Sequence, residues 1–94
     1  MRVRGYRIVG RNVRVAGREV DLLARRGPLL VVCEVKARRT PVRGTPLEAV
    51  GEHKRRRLRE AAELLMADDP SVETVRFDVI AVDGFSVHHV PAAF

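Results

Sequence analysis

A single cysteine, Cys33, excludes a disulfide framework. It lies in the apolar run Leu29-Leu30-Val31-Val32-Cys33, where a reduced, buried thiol is the expected state. No run approaches the roughly 20 apolar residues that cross a bilayer, and the start, Met1-Arg2-Val3-Arg4-Gly5, lacks the apolar core of a signal peptide. Together these absences predict a cytoplasmic protein with no membrane association. Zinc has no ligand set, because His53, His88 and His89 lack metal-ligand spacing with one another. Low-complexity tracts and internal repeats are missing as well, and 94 residues make one small domain, 1–94, with a modest core.

Lysine is scarce in an otherwise basic chain. Lys and Arg together number 18, but the only lysines are Lys36 and Lys54. Lys36 closes Glu34-Val35-Lys36 at the end of the apolar run. Arginine is permanently protonated and forked, whereas lysine is a compact charge whose pKa can be shifted to position or activate a nucleophile. Lys36 is therefore a chemical candidate. The net charge of +6 favours polyanions, nucleic acid foremost. Two basic clusters follow the Glu-Val-Lys segment and could flank one groove: Arg38, Arg39 and Arg43, then Lys54, Arg55, Arg56, Arg57 and Arg59.

Periodicity predicts the elements. Residues 6–15 read as a strand bent near Gly10 and Asn12, with a turn at Ala16-Gly17. Residues 18–24 alternate, with Glu19, Asp21 and Leu23 on one face and Val20, Leu22 and Ala24 on the other. Residues 29–36 read as a central strand covered on both sides, with Glu34 and Lys36 on one face. Thr45-Pro46-Leu47-Glu48 supplies a helix start, and Leu47, Val50, Leu58, Ala61, Ala62 and Leu65 form its apolar stripe up to Asp68-Asp69-Pro70. A strand over 74–82 and an Asp83-Gly84 turn into 85–90 complete the chain.

If 18–24 and 29–36 form a hairpin centred between Gly27 and Pro28, residues whose numbers sum to 55 lie opposite each other. Asp21 then faces Glu34, and Glu19 faces Lys36, with opposed Cβ atoms about 5 Å apart. Two opposed carboxylates repel unless something neutralises them, which a divalent cation does. Oxygen ligands without His or Cys select hard ions, Mg²⁺ or Mn²⁺. The plainer reading of Glu19 and Lys36 is a cross-strand ion pair on a solvated face.

Asp21, a hairpin turn, then Glu34-Val35-Lys36 followed by a helix resembles the PD-(D/E)xK, or restriction-endonuclease-like, nuclease superfamily. Within it, the segments Gly5-Tyr6-Arg7-Ile8, Arg11-Asn12, Gly17-Arg18-Glu19-Val20-Asp21-Leu22-Leu23-Ala24, Val32-Cys33-Glu34-Val35-Lys36 and Arg76-Phe77-Asp78-Val79-Ile80 resemble the YraN family of predicted endonucleases. That family is distantly related to archaeal Holliday-junction resolvases. The resemblance implies an α/β fold with a mixed β-sheet flanked by helices, and Asp21 and Glu34 as metal ligands joined by the Val35 carbonyl. It also implies that Lys36 orients or deprotonates the attacking water, that Glu19 completes the metal site or holds Lys36 when no metal is bound, and that Lys54 approaches a substrate phosphate. Family members usually begin with a helix ahead of the Gly-Tyr segment, where this chain has only Met1-Arg2-Val3-Arg4. The usual N-terminal helix is then missing, one sheet face is uncovered, and a partner or a second copy in a homodimer would fill the gap.

The expectation is a Mg²⁺- or Mn²⁺-dependent endonuclease hydrolysing DNA phosphodiesters, with branched or damaged structures as the family-level substrate. Arg38, Arg39, Arg43, Lys54, Arg55 and Arg57 would contact phosphates. Two alternatives stand beside it. One is a catalytically inactive nucleic-acid-binding module of the same fold, and the other is an interaction protein whose basic face docks an acidic partner.

Overall fold

The computed structural model describes residues 2–3, 5–38 and 51–94. Six strands form one sheet in chain order: β1 (Arg2–Val3), β2 (Tyr6–Val15), β3 (Arg18–Arg26), β4 (Leu29–Arg38), β5 (Thr74–Asp83) and β6 (Ser86–Val90). Every neighbouring pair is antiparallel except β4 and β5, which are parallel. A parallel pair needs a crossover, and the α-helix α1 (Glu52–Asp68) lies in it. The domain is thus α/β, a mixed sheet flanked by a helix, as the restriction-endonuclease-like reading requires. Among the described residues, no helix is long and apolar enough to cross a membrane.

The turns form where backbone freedom allows. Ala16 and Gly17 take φ of 50° and 81° between β2 and β3, and Gly27 takes φ of 58° between β3 and β4. The last turn sits one residue later than the sequence suggests: Asp83 pairs with Ser86, so Gly84 and Phe85 make it and the Phe85 side chain is left in solvent. The β2 bend is a register shift between Ile8 and Gly10. There a Cβ added to Gly10 would lie 2.6 Å from Val13 Cγ2. Because a valine side chain is stiff at χ1, Gly10→Ala should cost about 1–2 kcal/mol, read as a lower urea midpoint at unchanged slope.

One core lies between the sheet and α1. Val20, Leu23, Leu30 and Val32 from the sheet meet Leu58, Ala61 and Ala62 from the helix, with Leu65 at the margin. Leu58, Ala61, Ala62 and Leu65 belong to the stripe expected from the sequence, and α1 begins at Glu52 after an extended Gly51. The capping sequence 45–48 and the stripe residues Leu47 and Val50 lie outside the described residues. Strict alternation also fails in β3. Val20 and Leu23 share the helix-side core, Arg18 reaches Glu60 on α1, and Arg25 reaches Asp69 just past its end. The facing therefore slips by one residue around Asp21 and Leu22, which is where the candidate site lies.

The opposite face carries a second, smaller cluster of Ala24, Val31 and Cys33, flanked by Tyr6, Ile8, Leu22, Leu29 and Ile80. It borders a cavity of about 330 Å³. Burial, and secondarily the charge of Asp78, push the Cys33 thiol up to about 12. With little thiolate present and 4% exposure, Cys33 should react with a thiol reagent at least ~100-fold more slowly in the folded protein than in urea. A fast native reaction would contradict this packing.

Candidate functional site

The hairpin register is the expected one as far as it goes. Leu22 pairs with Cys33, Leu23 with Val32 and Ala24 with Val31, each pair summing to 55. The ladder stops at Leu22 and Cys33. Beyond it, β3 continues alongside β2, with Glu19 paired to Arg14, while β4 continues alongside β5, with Lys36 paired to Ala81. The expected ladder pairings of Asp21 with Glu34 and of Glu19 with Lys36 are thus absent, because the two strands part before reaching them.

Asp21 stands at the fork. Its Oδ2 accepts the Val35 N–H at 2.9 Å, replacing the main-chain partner that a continued ladder would supply. The N–H and C=O of one strand residue point to the same side, so the Val35 carbonyl also faces this opening. Glu34 lies beside it, 1% exposed. A buried carboxylate needs countercharge, and here both lysines of the chain provide it at Glu34 Oε1: Lys36 Nζ at 3.3 Å, from the next residue on the same face, and Lys54 Nζ from α1. Burial works against the charge on Lys54, but the hydrogen bond and attraction of Glu34, aided by Asp21, outweigh it and raise the ammonium above the usual lysine value.

The other oxygen, Glu34 Oε2, is buried with no hydrogen-bond partner among the described residues. Leaving such an atom unpaired costs about 1–3 kcal/mol or more, so it is a candidate donor atom for a ligand. Among the described residues no three His, Cys, Asp or Glu side chains gather as a metal-binding group. A hard ion would therefore have two carboxylates, Asp21 and Glu34, and the Val35 carbonyl, with water completing its shell. Mg²⁺ commonly binds through one or two carboxylates in this way. On the orphaned oxygen and the all-oxygen donor set, the residues fit such an ion.

A cleft of about 430 Å³ opens from Asp21 and Glu19 toward α1, bordered by Arg14, Arg18, His53, Lys54 and Arg57. Arg57 donates to the Gly17 carbonyl at 3.4 Å, and Arg18 pairs with Glu60 at 3.4 Å, so the β2–β3 turn is tied to the helix. Of the basic residues expected to meet phosphate, Lys54 and Arg57 border this cleft, whereas the Arg55 guanidinium lies 5.5 Å over the Phe94 ring. The Arg38 side chain, Arg39 and Arg43 lie outside the description. Arg14 and Arg18 were not expected there. The Ala16-Gly17 turn could have signalled Arg14, since it sets Arg14 opposite Glu19.

Behind the site, on the far sheet face, Asp78 is fully buried. It accepts two bonds from Arg76 at 2.9 Å each, one from the Ala92 N–H at 3.0 Å, and contacts His89 Nε2 at 2.7 Å. Burial alone would raise its pKa, but Arg76, His89 and Ala92 together hold it below the usual carboxylate value. Arg76 also donates to the Tyr6 hydroxyl at 3.2 Å. This cluster fastens β5, β6 and the C-terminal residues to one another and lies on the face away from Glu34.

A mixed sheet covered by α1, forked strands and an acid–lysine cluster at the fork define a restriction-endonuclease-like α/β domain. Within that class the chain belongs to the YraN family, the uncharacterised protein family UPF0102, whose model matches residues 1–82. It is 49% identical over 80 residues to the UPF0102 protein STH1475 of Symbiobacterium thermophilum, a match covering 84% of this chain and 68% of that protein. A UPF0102 protein of Anaeromyxobacter dehalogenans is 44% identical over 97% of this chain and 72% of its own length. One from Syntrophotalea carbinolica is 40% identical over all of this chain and 80% of its own length.

Proposed function

We propose that this domain is a Mg²⁺- or Mn²⁺-dependent endonuclease that hydrolyses DNA phosphodiesters in the cytoplasm, with branched or damaged DNA as its substrate class. The observation that carries this reading is the buried Glu34 Oε2, unpartnered among the described residues, at the fork of β3 and β4, where Asp21 accepts the N–H of the next residue, Val35. A hard divalent ion held by Asp21, Glu34 and the Val35 carbonyl would polarise the scissile phosphate and lower the pKa of a bound water.

The chain's own residues do the rest. Lys36, fixed by the β4–β5 ladder and by Glu34, presents its ammonium at the fork, where it orients a water and stabilises charge developing on phosphate. Arg14, Arg18 and Arg57 border the cleft that leads to Asp21 and receive the neighbouring phosphates. Glu19 lies at the same cleft and is positioned to accept a proton or a hydrogen bond from water there.

A second reading, a nucleic-acid-binding module without catalysis, is favoured by the pairing of Glu34 with two lysines. The test is incubation of end-labelled single-stranded, duplex, flap and four-way DNA with the wild type and with Glu34→Gln, in Mn²⁺ and in chelator. Metal-dependent cleavage by the wild type alone supports the nuclease and names its preferred structure. DNA binding that ignores both the metal and the substitution, with no product, would establish the binding module instead.

A further inference from the structure

Lys36 and Lys54 share one oxygen of Glu34 but are held very differently. Lys36 springs from β4, whose main chain is paired to Ala81, and its side chain is 30% exposed. Lys54 comes from the first turn of α1, is 43% exposed, and borders the cleft that Arg14, Arg18 and Arg57 also border. Around the fork, two carboxylates, Asp21 and Glu34, are balanced by these two ammonium groups. Adding a divalent cation to the same carboxylates would leave two surplus positive charges within a few ångströms of each other. That repulsion is relieved most readily by the lysine with an open route to solvent. Lys54 is the more exposed of the two and already borders the cleft, whereas Lys36 is less exposed and does not border it.

Building on the metal-dependent reading above, we infer that Lys54 is the resident counter-cation of Glu34. It occupies the carboxylate while no divalent ion is bound, is displaced when one binds, and swings into the cleft to join Arg14, Arg18 and Arg57 as a phosphate contact. Metal binding thereby arms the DNA-facing surface, and Lys54 sets the threshold ion concentration at which this happens. Without Lys54, Lys36 alone would face the buried carboxylate of Glu34 in the metal-free protein.

Because the chain has only two lysines, isotope labelling of lysine yields just two side-chain NMR signals, which Lys54→Arg assigns. On titrating wild type with Mg²⁺, the Lys54 signal should move to the position of a solvent-exposed lysine while the Lys36 signal keeps the shift of a paired one. By calorimetry, Lys54→Met should bind Mn²⁺ about tenfold more tightly than wild type, since a competing charge has been removed. A Lys54 signal unmoved at saturating Mg²⁺, or unchanged or weaker Mn²⁺ binding by Lys54→Met, would overturn the counter-cation role and leave the metal site standing. Wild type that binds neither ion would overturn both.

Discussion

Glu34→Gln should lower Mn²⁺-dependent DNA cleavage by about a thousandfold or more while leaving the protein folded. Glutamine keeps the shape of the side chain but removes the charge, and with it one of the two carboxylates proposed to hold a divalent ion at the fork. The fold should tolerate the change. Removing a buried charge also removes its desolvation cost, and the side chains left behind, Lys36 at 30% and Lys54 at 43% exposure, can reach water. The unfolding midpoint of the variant should therefore shift by no more than about 1 kcal/mol equivalent. The two measurements belong together: lost cleavage with a native midpoint assigns Glu34 to chemistry, and a collapsed midpoint would assign it to structure.

Asp78→Ala should do the opposite, damaging the fold without touching the acids at the fork. The substitution strips Arg76, His89 and the Ala92 N–H of their shared acceptor. Arg76 is 26% exposed and can be partly rehydrated, so the expected loss is about 3 kcal/mol, toward the lower end for breaking a buried pair. For a domain of this size that corresponds to a melting point lower by roughly 15 °C. The same carboxylate predicts a pH dependence. Its folded pKa lies below the unfolded value, so its contribution is fully present above about pH 4 and is lost as the pH falls through the folded pKa. Wild type should lose stability in that acid window, and Asp78→Ala should lose less across it. Equal slopes for the two proteins would remove Asp78 as the cause.

Much of this was legible from residue order because the signals are local. The sum-of-55 register follows from a tight turn at Gly27-Pro28 and two runs of β-branched and apolar residues, and pairs such as Leu22 with Cys33 follow it. Leu58, Ala61, Ala62 and Leu65 announce a buried helix face by spacing alone, and the helix presents them to the sheet. The slip of facing around Asp21 and the early end of the β3–β4 ladder were not legible. Each depends on which neighbour, β2 or β5, claims the main chain beyond the fork, and that competition is settled between segments far apart in sequence. For the same reason Arg18 escaped notice. The Ala16-Gly17 turn sets Arg14 opposite Glu19, but nothing nearby in sequence says that α1 will close a cleft over either arginine.

By itself, then, the sequence determined an α/β domain of the UPF0102 family, the order of its elements from β2 to β6 and the acid–lysine segment at the end of its central strand. Those properties rest on periodicity, turn chemistry and residue identity, which act over a few residues. Tertiary structure alone decided that Glu34 would be buried with one oxygen unpartnered among the described residues and that both lysines would converge on the other. It also decided that the strands would part at Asp21. Burial and charge balance arise only where distant segments pack, and a carboxylate acquires its need for a counter-cation only after the fold has taken its water away.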